Sequence, residues 1–181
     1  MDTAISSRGV LPVVTARYDS PCGPLVLGAT EGSLCMCDWE RGRHATSVAR
    51  ALSSSVPFDR ADSLSDVLAG AIRQLDEYFA GERKDFDVPL LLTGTPFRMA
   101  VWRALREVPY GQTLSYSALA RRIGRPAAVR AVASAVGANP ISIFVPCHRI
   151  IGASGALTGY AGGLDAKRRL LALESESRNF Y

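Results

Sequence analysis

The chain has 181 residues, 48% hydrophobic and 21% charged, which is the composition of a globular protein with one large or two small domains. No stretch approaches the roughly 18 to 20 apolar residues of a membrane span. Residues 1–9 are polar and lack the apolar core of a secretory signal, so we expect a loose N-terminal tail and a cytoplasmic protein.

Charge is distributed unevenly along the chain. Residues 1–95 carry 9 basic and 13 acidic side chains, whereas residues 96–181 carry 12 basic and 4 acidic ones. Basic side chains gain binding energy beside phosphates by releasing counterions. A basic C-terminal half therefore favours a nucleic-acid partner, although a solvated basic surface would give the same composition.

The four cysteines do not form a pattern typical of secreted disulfide proteins, so we expect reduced thiols. A zinc site could be drawn from Cys22, Cys35, Cys37 and His44. However, these residues contain no C-x-x-C pair, and Cys35 and Cys37 alternate within a predicted strand. We therefore expect small buried side chains here and no metal.

The N-terminal half predicts a small α/β unit over residues 10–92. Short alternating segments at 13–18, 25–29 and 34–39, separated by Gly/Pro turns, predict an antiparallel meander. Ser63 is a candidate cap for a helix over 64–79, which has one apolar stripe and ends before Gly81. Residues 86–92 then return as an extended segment.

The C-terminal half, residues 95–176, predicts short helices. Thr95 and Pro96 are typical of a helix start, and helices are expected over 97–108, 116–123 and 127–136, with Thr113 or Ser115 opening the second. The last two resemble a helix-turn-helix. The 127–136 helix is rich in alanine around a single Arg130. Such a helix can approach a nucleic-acid groove or pack tightly on a core, and the composition leaves both readings open.

Residues 141–145 form a continuous apolar run that predicts a buried strand ending at Pro146. A glycine-studded loop follows, without the spacing of a phosphate-binding motif, and Tyr160 projects from it. The last helix, over 165–174, is expected to face the core with Leu170, Leu171 and Leu173. Its basic residues are expected to face solvent: Lys167, Arg168 and Arg169.

Cys147 and His148 are the candidates for chemistry. A thiol needs a group that accepts its proton before it becomes a nucleophile. Adjacent residues of an extended chain point to opposite sides, so a bridging water is the easier route between the two side chains. An orienting carboxylate is also needed, and Glu174 is favoured because it ends an apolar helix. A purely structural Cys-His pair would have the same sequence.

Four motifs in this order resemble the methylated-DNA–protein-cysteine methyltransferases, which repair guanine alkylated at its exocyclic oxygen. They are Asn139-Pro140, Pro146-Cys147-His148-Arg149, the glycine loop at 159–163 and the Leu-Leu-Ala-Leu-Glu run at 170–174. The resemblance implies an α/β fold with two domains. A ribonuclease-H-like N-terminal domain would be followed by a mostly helical, winged-helix-like C-terminal domain with a helix-turn-helix.

The resemblance also implies a mechanism. Cys147 would attack the alkyl carbon, His148 would take the thiol proton through a water, and Glu174 would orient His148. Asn139 would shape the pocket, Tyr116 would rotate the phosphate and protonate the departing guanine, and Arg130 would replace the flipped base. The remaining DNA contacts would be Ala128, Val129, Thr113, Ser115 and Arg125, and the base pocket would be lined by Pro146, Tyr160, Ala161, Val145 and Ile150.

The expected partner is double-stranded DNA, which a monomer of this protein would bind in the minor groove. The expected substrate is the guanine oxygen-6 lesion, and the oxygen-4 lesion of thymine is a second candidate. A thioether is a poor leaving group, so the reaction is expected to be stoichiometric and to need no cofactor or metal. Two positions depart from the family pattern: Val129 is bulkier than usual, and Ala161 lacks a hydroxyl. The competing hypotheses are a cysteine hydrolase, a DNA-binding regulator with a sensor cysteine and a lesion-binding protein that no longer repairs.

Overall fold

The computed structural model describes residues 13–30, 32–47, 50, 56–57 and 65–176. Its N-terminal part contains a sheet of order β3-β2-β1-β4. The strands are β1 (Val14–Ser20), β2 (Gly23–Thr30), β3 (Ser33–Trp39) and β4 (Val56–Pro57). β1, β2 and β3 pair antiparallel, which confirms the predicted meander, and β4 runs parallel to β1. The predicted tail, residues 1–9, lies outside the described residues.

One helix, α1 (Ser65–Phe79), packs against this sheet. Leu68, Ala71, Leu75 and Tyr78 form its buried stripe, because positions three or four apart share one helix face. The predicted cap, Ser63, lies outside the described residues. The predicted extended segment over residues 86–92 bends at Val88, and beyond the bend the backbone of Leu34 pairs with Pro89 and Leu91.

The C-terminal part consists of α2 (Pro96–Arg106), β5 (Leu114–Ser115), α3 (Tyr116–Arg122), α4 (Val129–Gly137), β6 (Ile150–Ile151) and α5 (Gly163–Glu176). Thr95 and Ser115 cap α2 and α3 by accepting backbone N–H groups. α3 and α4 form the expected helix-turn-helix. α4 begins two residues later than predicted, because the N–H of Ala128 closes a turn onto the carbonyl of Arg125.

The predicted strand over residues 141–145 is wrong in form, although the segment is fully buried. Ile141 makes a bridge to Cys37, but the chain then folds back so that the N–H of Val145 donates to the carbonyl of Ile141. Ile143 occupies the left-handed region with φ of 73°. The apolar composition therefore predicted correctly that this segment is buried. The turn within residues 141–145 is held by the side chain of Asn139, as described below.

The two parts of the chain share a continuous hydrophobic core. The backbone of Cys37 in β3 donates to Pro140 and accepts from Ser142, which ties the N-terminal sheet to the segment before Cys147. The architecture is mixed α/β, as expected. In the described part of the chain, no helix has both the length and the apolarity required to cross a bilayer.

Candidate active site

Cys147 lies at the start of a 3-10 turn (Cys147–Arg149) and is 5% exposed. The side chain of Asn139 holds this region in place. Its Nδ2 donates to Sγ of Cys147 at 3.1 Å and to the carbonyl of Val145 at 2.9 Å, while its Oδ1 accepts the N–H of Ile141 at 3.1 Å. Asn139 therefore replaces the missing strand partner of the buried segment and positions the sulfur.

His148 is fully buried, and its Nε2 lies 2.8 Å from Oε1 of Glu174. A carboxylate only accepts hydrogen bonds, so the imidazole proton sits on Nε2 and Nδ1 carries the lone pair. Among the described residues, no protein group bonds to Nδ1. The 3-10 turn at Cys147–Arg149 replaces the extended geometry assumed from the sequence, and the two side chains still make no direct hydrogen bond in this part of the chain.

Glu174 is the centre of a buried network that the sequence revealed only in part. Besides His148, its carboxylate accepts Nε and Nη2 of Arg149, both at 2.9 Å, the hydroxyl of Tyr78 at 2.8 Å and the N–H of Gly111 at 3.0 Å. Arg149 also donates to the carbonyl of Val108. The position of Arg149 within a buried apolar run was a sequence signal that it has a buried partner. No local sequence signal indicated that Tyr78, in α1, contacts Glu174.

The pKa shifts of this group set its protonation state before reaction. Burial raises the pKa of Cys147 to about 11, against the opposing hydrogen bond from Asn139. Burial lowers the pKa of His148 and outweighs the raising effect of Glu174. Burial alone would raise the pKa of Glu174, but His148 and Arg149 together hold it well below its ordinary value. The resting site therefore holds a protonated thiol, a neutral imidazole and a carboxylate.

Lys167 was predicted to face solvent, and that prediction is wrong. Its side chain is buried, and its ammonium group donates to the carbonyls of Ile150 and Thr158. Burial lowers the pKa of Lys167, and a thiolate at Cys147 acts in the opposite direction. The spacing of Lys167, Leu170 and Glu174 on one helix face was the signal that could have placed it inside.

The helix-turn-helix borders an open groove, here called the α3–α4 groove, with a volume of about 540 Å³. Tyr116, Val129 and Arg130, all predicted DNA contacts or catalytic residues, line it together. Its other lining residues are Arg43, Ala133, Ser134, Gly137, Thr158 and Gly159. Arg130 is exposed on α4. The structure thus brings the two sequence-predicted side chains Tyr116 and Arg130 to one surface beside the loop that carries Tyr160.

Other predicted DNA contacts lie elsewhere or have local partners. Arg125 is exposed but lines a different groove with Thr95 and Ile123. The hydroxyl of Ser115 caps α3 and bonds to Ser117. Thr113 is exposed, and Ala128 forms the N-terminal boundary of α4.

The predicted pocket residues lie in the buried segment that contains Cys147 and in the loop at 159–163. Val145, Pro146 and Ile150 are buried, and the backbone of each takes part in hydrogen bonds around the 3-10 turn. Tyr160 packs edge-on against His148, with ring centroids 6.5 Å apart, and against Trp39 at 5.8 Å. The carbonyl of Ala161 accepts the N–H of Arg43.

Among the described residues, no three Cys, His, Asp or Glu side chains lie close enough together to bind a metal ion, and this includes the residues considered for a zinc site. His44 instead binds Asp38, with Nδ1 2.6 Å from Oδ2. Cys37 is buried, while Cys22 and Cys35 are half-buried, and all four cysteines are free thiols. In and after β3, Asp38 and His44 therefore pair with each other, and the side chain of Cys37 packs in the core.

Two family models match the chain. Residues 13–92 match the ribonuclease-like domain of 6-O-methylguanine DNA methyltransferase, and residues 96–176 match its DNA-binding domain. A methylated-DNA–protein-cysteine methyltransferase of Methanosarcina acetivorans is 46% identical over 88% of this chain and 96% of its own length.

Solved structures give the same result. The O6-methylguanine methyltransferase of Mycobacterium tuberculosis is 45% identical, with a TM-score of 0.79 over 91% of this chain and 94% of that one. The same organism's protein in complex with DNA gives a TM-score of 0.77 at 46% identity, over 92% and 94% of the two chains. The similarity covers both halves of the chain and the whole candidate site. The chain belongs to the 6-O-methylguanine DNA methyltransferase family, as its four motifs predicted.

Proposed function

We propose that this protein repairs duplex DNA by transferring the alkyl group from oxygen-6 of guanine to Sγ of Cys147, once per molecule. The observation that carries the proposal is a nearly enclosed thiol, next in sequence to a buried His148–Glu174 pair, beside a helix-turn-helix. The names of the relatives and the DNA complex of one of them support it.

The thiol must lose its proton as it reacts, because burial keeps it protonated at neutral pH. Nδ1 of His148 carries a free lone pair and takes this proton through a water molecule. Glu174 stabilises the imidazolium that results and holds Nε2 in place. The Nδ2–H of Asn139 and the ammonium group of Lys167 favour the thiolate.

In the transfer step the sulfur forms a bond to the alkyl carbon as the bond from that carbon to oxygen-6 breaks. The electron pair of the broken bond stays on guanine, which then needs a proton. Tyr116 supplies it and is reprotonated from solvent at the half-buried groove wall. The products are guanine and an alkylated Cys147, and no cofactor or metal enters this balance.

DNA reaches the site by base flipping in this proposal. The small side chains of α4 let the helix approach the minor groove, and Arg130 fills the space left by the extruded base. The flipped base would enter beside Tyr160 and the backbone of Val145 and Pro146. Residues 95–176 would carry DNA binding and chemistry, residues 10–92 would support them, and a cytoplasmic monomer remains our expectation.

The test locates the transferred group. The protein is incubated with an oligonucleotide duplex containing one O6-methylguanine, and the intact mass and the modified peptide are determined. We expect one added methyl group, on Cys147, in the wild type and in the control Cys35→Ala, which removes a more accessible thiol. Cys147→Ala should gain none.

Methylation that persists in Cys147→Ala, or that moves to another cysteine in the wild type, would refute the proposal. An unmodified wild-type protein with bound lesion would instead favour a non-repairing lesion-binding protein. Release of products over many turnovers would favour the cysteine hydrolase.

A further inference from the structure

The segment after β3, residues 40–44, is fixed against the loop of the base pocket. The ring of Trp39 occupies the space where a side chain on Gly162 would be. Gly42 lies against the carbonyl of Ala161, and the N–H of Arg43 donates to that carbonyl at 3.0 Å. The backbone of Arg43 therefore has a defined position beside Tyr160, although it belongs to the N-terminal unit.

The side chain of Arg43 extends from this point to the end of α4. A Cβ atom placed on Gly137, the last residue of α4, would lie 3.3 Å from its Nη1. Arg43 also lines the α3–α4 groove with Tyr116 and Arg130, and the other lining residues come from the C-terminal unit. The N-terminal unit thus contributes one long cationic side chain to the proposed DNA surface.

The positive charge of Arg43 is not neutralised within the part of the chain that the structure describes. Its side chain is exposed, and no described carboxylate lies within 4.0 Å of it. The two acidic residues closest in sequence have other partners: Asp38 binds His44 at 2.6 Å, and Glu40 binds Arg17 at 2.8 Å.

We propose that Arg43 binds a backbone phosphate of the DNA strand in the α3–α4 groove, so that the N-terminal unit forms part of the DNA interface. An exposed guanidinium with a fixed backbone offers paired donors that match phosphate oxygens. Phosphate contacts of this kind set the position of a duplex without reading its sequence. The inference rests on the proposed function, since it assumes that the groove receives DNA.

The test uses the salt dependence of binding. Affinity for an unmodified, labelled duplex is measured over a range of salt concentrations for the wild type, Arg43→Gln and Arg73→Gln. Each phosphate contact contributes about 0.9 to the slope of log affinity against log salt. Arg43→Gln should reduce the magnitude of this slope by about 0.9 and weaken binding several-fold at low salt. Arg43→Lys keeps the positive charge and should retain most of the magnitude of the slope.

Arg73→Gln is the matched control, because it removes the same charge from the exposed face of α1. Its slope should equal that of the wild type. Equal slopes for Arg43→Gln and Arg73→Gln would overturn the proposal. So would a loss of reaction with free O6-alkylguanine as large as the loss of duplex repair, which would mean that Arg43 only holds the pocket loop.

The two proposals fail in distinguishable ways. If the wild type binds duplex DNA but transfers no alkyl group, the proposed function fails, and the salt slopes of the Arg43 variants still decide the role of this side chain. If alkyl transfer occurs and the slopes are unchanged, only the Arg43 inference fails.

Discussion

At the scale of single residues, the site depends on how one buried carboxylate is satisfied. Glu174 accepts hydrogen bonds from four different residues, three of them through side chains. A buried charge is tolerated only when its lone pairs are matched in this way. The sequence predicted Glu174 as the carboxylate that orients His148 because it lies at the end of an apolar helix. The partners Tyr78 and Gly111 are far away in sequence, so no local pattern could reveal them.

The depressed pKa of Glu174 predicts acid sensitivity. A carboxyl whose pKa is lower in the folded state stabilises the fold above its unfolded pKa, about 4.3, and this contribution is lost as the pH falls towards the folded value. Glu174→Gln should cost about 3 kcal/mol at pH 7, because it leaves Arg149 without its partner. Melting temperatures measured from pH 7 to pH 3 should fall less steeply for this variant.

Glu107→Gln makes the same chemical change at an exposed position and is the control. It should keep both the wild-type stability at pH 7 and the wild-type acid response. If Glu174→Gln and wild type lose stability in parallel as the pH falls, the network around Glu174 does not contribute as described.

At the scale of elements, patterns of capping and periodicity predicted the helices well, because those signals are local. Thr95 and Ser115 cap the helices that they were expected to open. The 141–145 segment failed as a strand because its hydrogen bonds go to the side chain of Asn139 and back onto itself. Periodicity cannot distinguish such a buried turn from a buried strand.

Arg130 is exposed on α4, and its replacement tests how this helix acts on DNA. Arg130→Ala should slow repair of a methylated duplex far more than reaction with the free O6-methylguanine base, because in the proposed function the side chain replaces the flipped base in the stack. Single-turnover rates with both substrates provide the comparison. Arg103→Ala, on the exposed face of α2, should leave both rates unchanged, and equal slowing of both reactions by Arg130→Ala would contradict the flipping role.

At the scale of the whole molecule, the two parts of the chain meet at the site. The N-terminal unit supplies Tyr78 to Glu174, the backbone of Cys37 to the segment before Cys147, and Trp39 to Tyr160. The uneven charge of the sequence indicated which half would meet DNA. It could not show that the acidic half also contributes to the buried network around Glu174, because contacts between distant segments have no local signature.

In the proposed function, Cys147 is a reagent that each protein molecule consumes once. The most direct measurement counts lesions repaired per protein molecule, with methylated duplex in increasing excess over a known amount of protein. The repaired lesions should reach a plateau at one per molecule and stay there as time and substrate increase. Continued repair beyond one lesion per molecule would contradict the account.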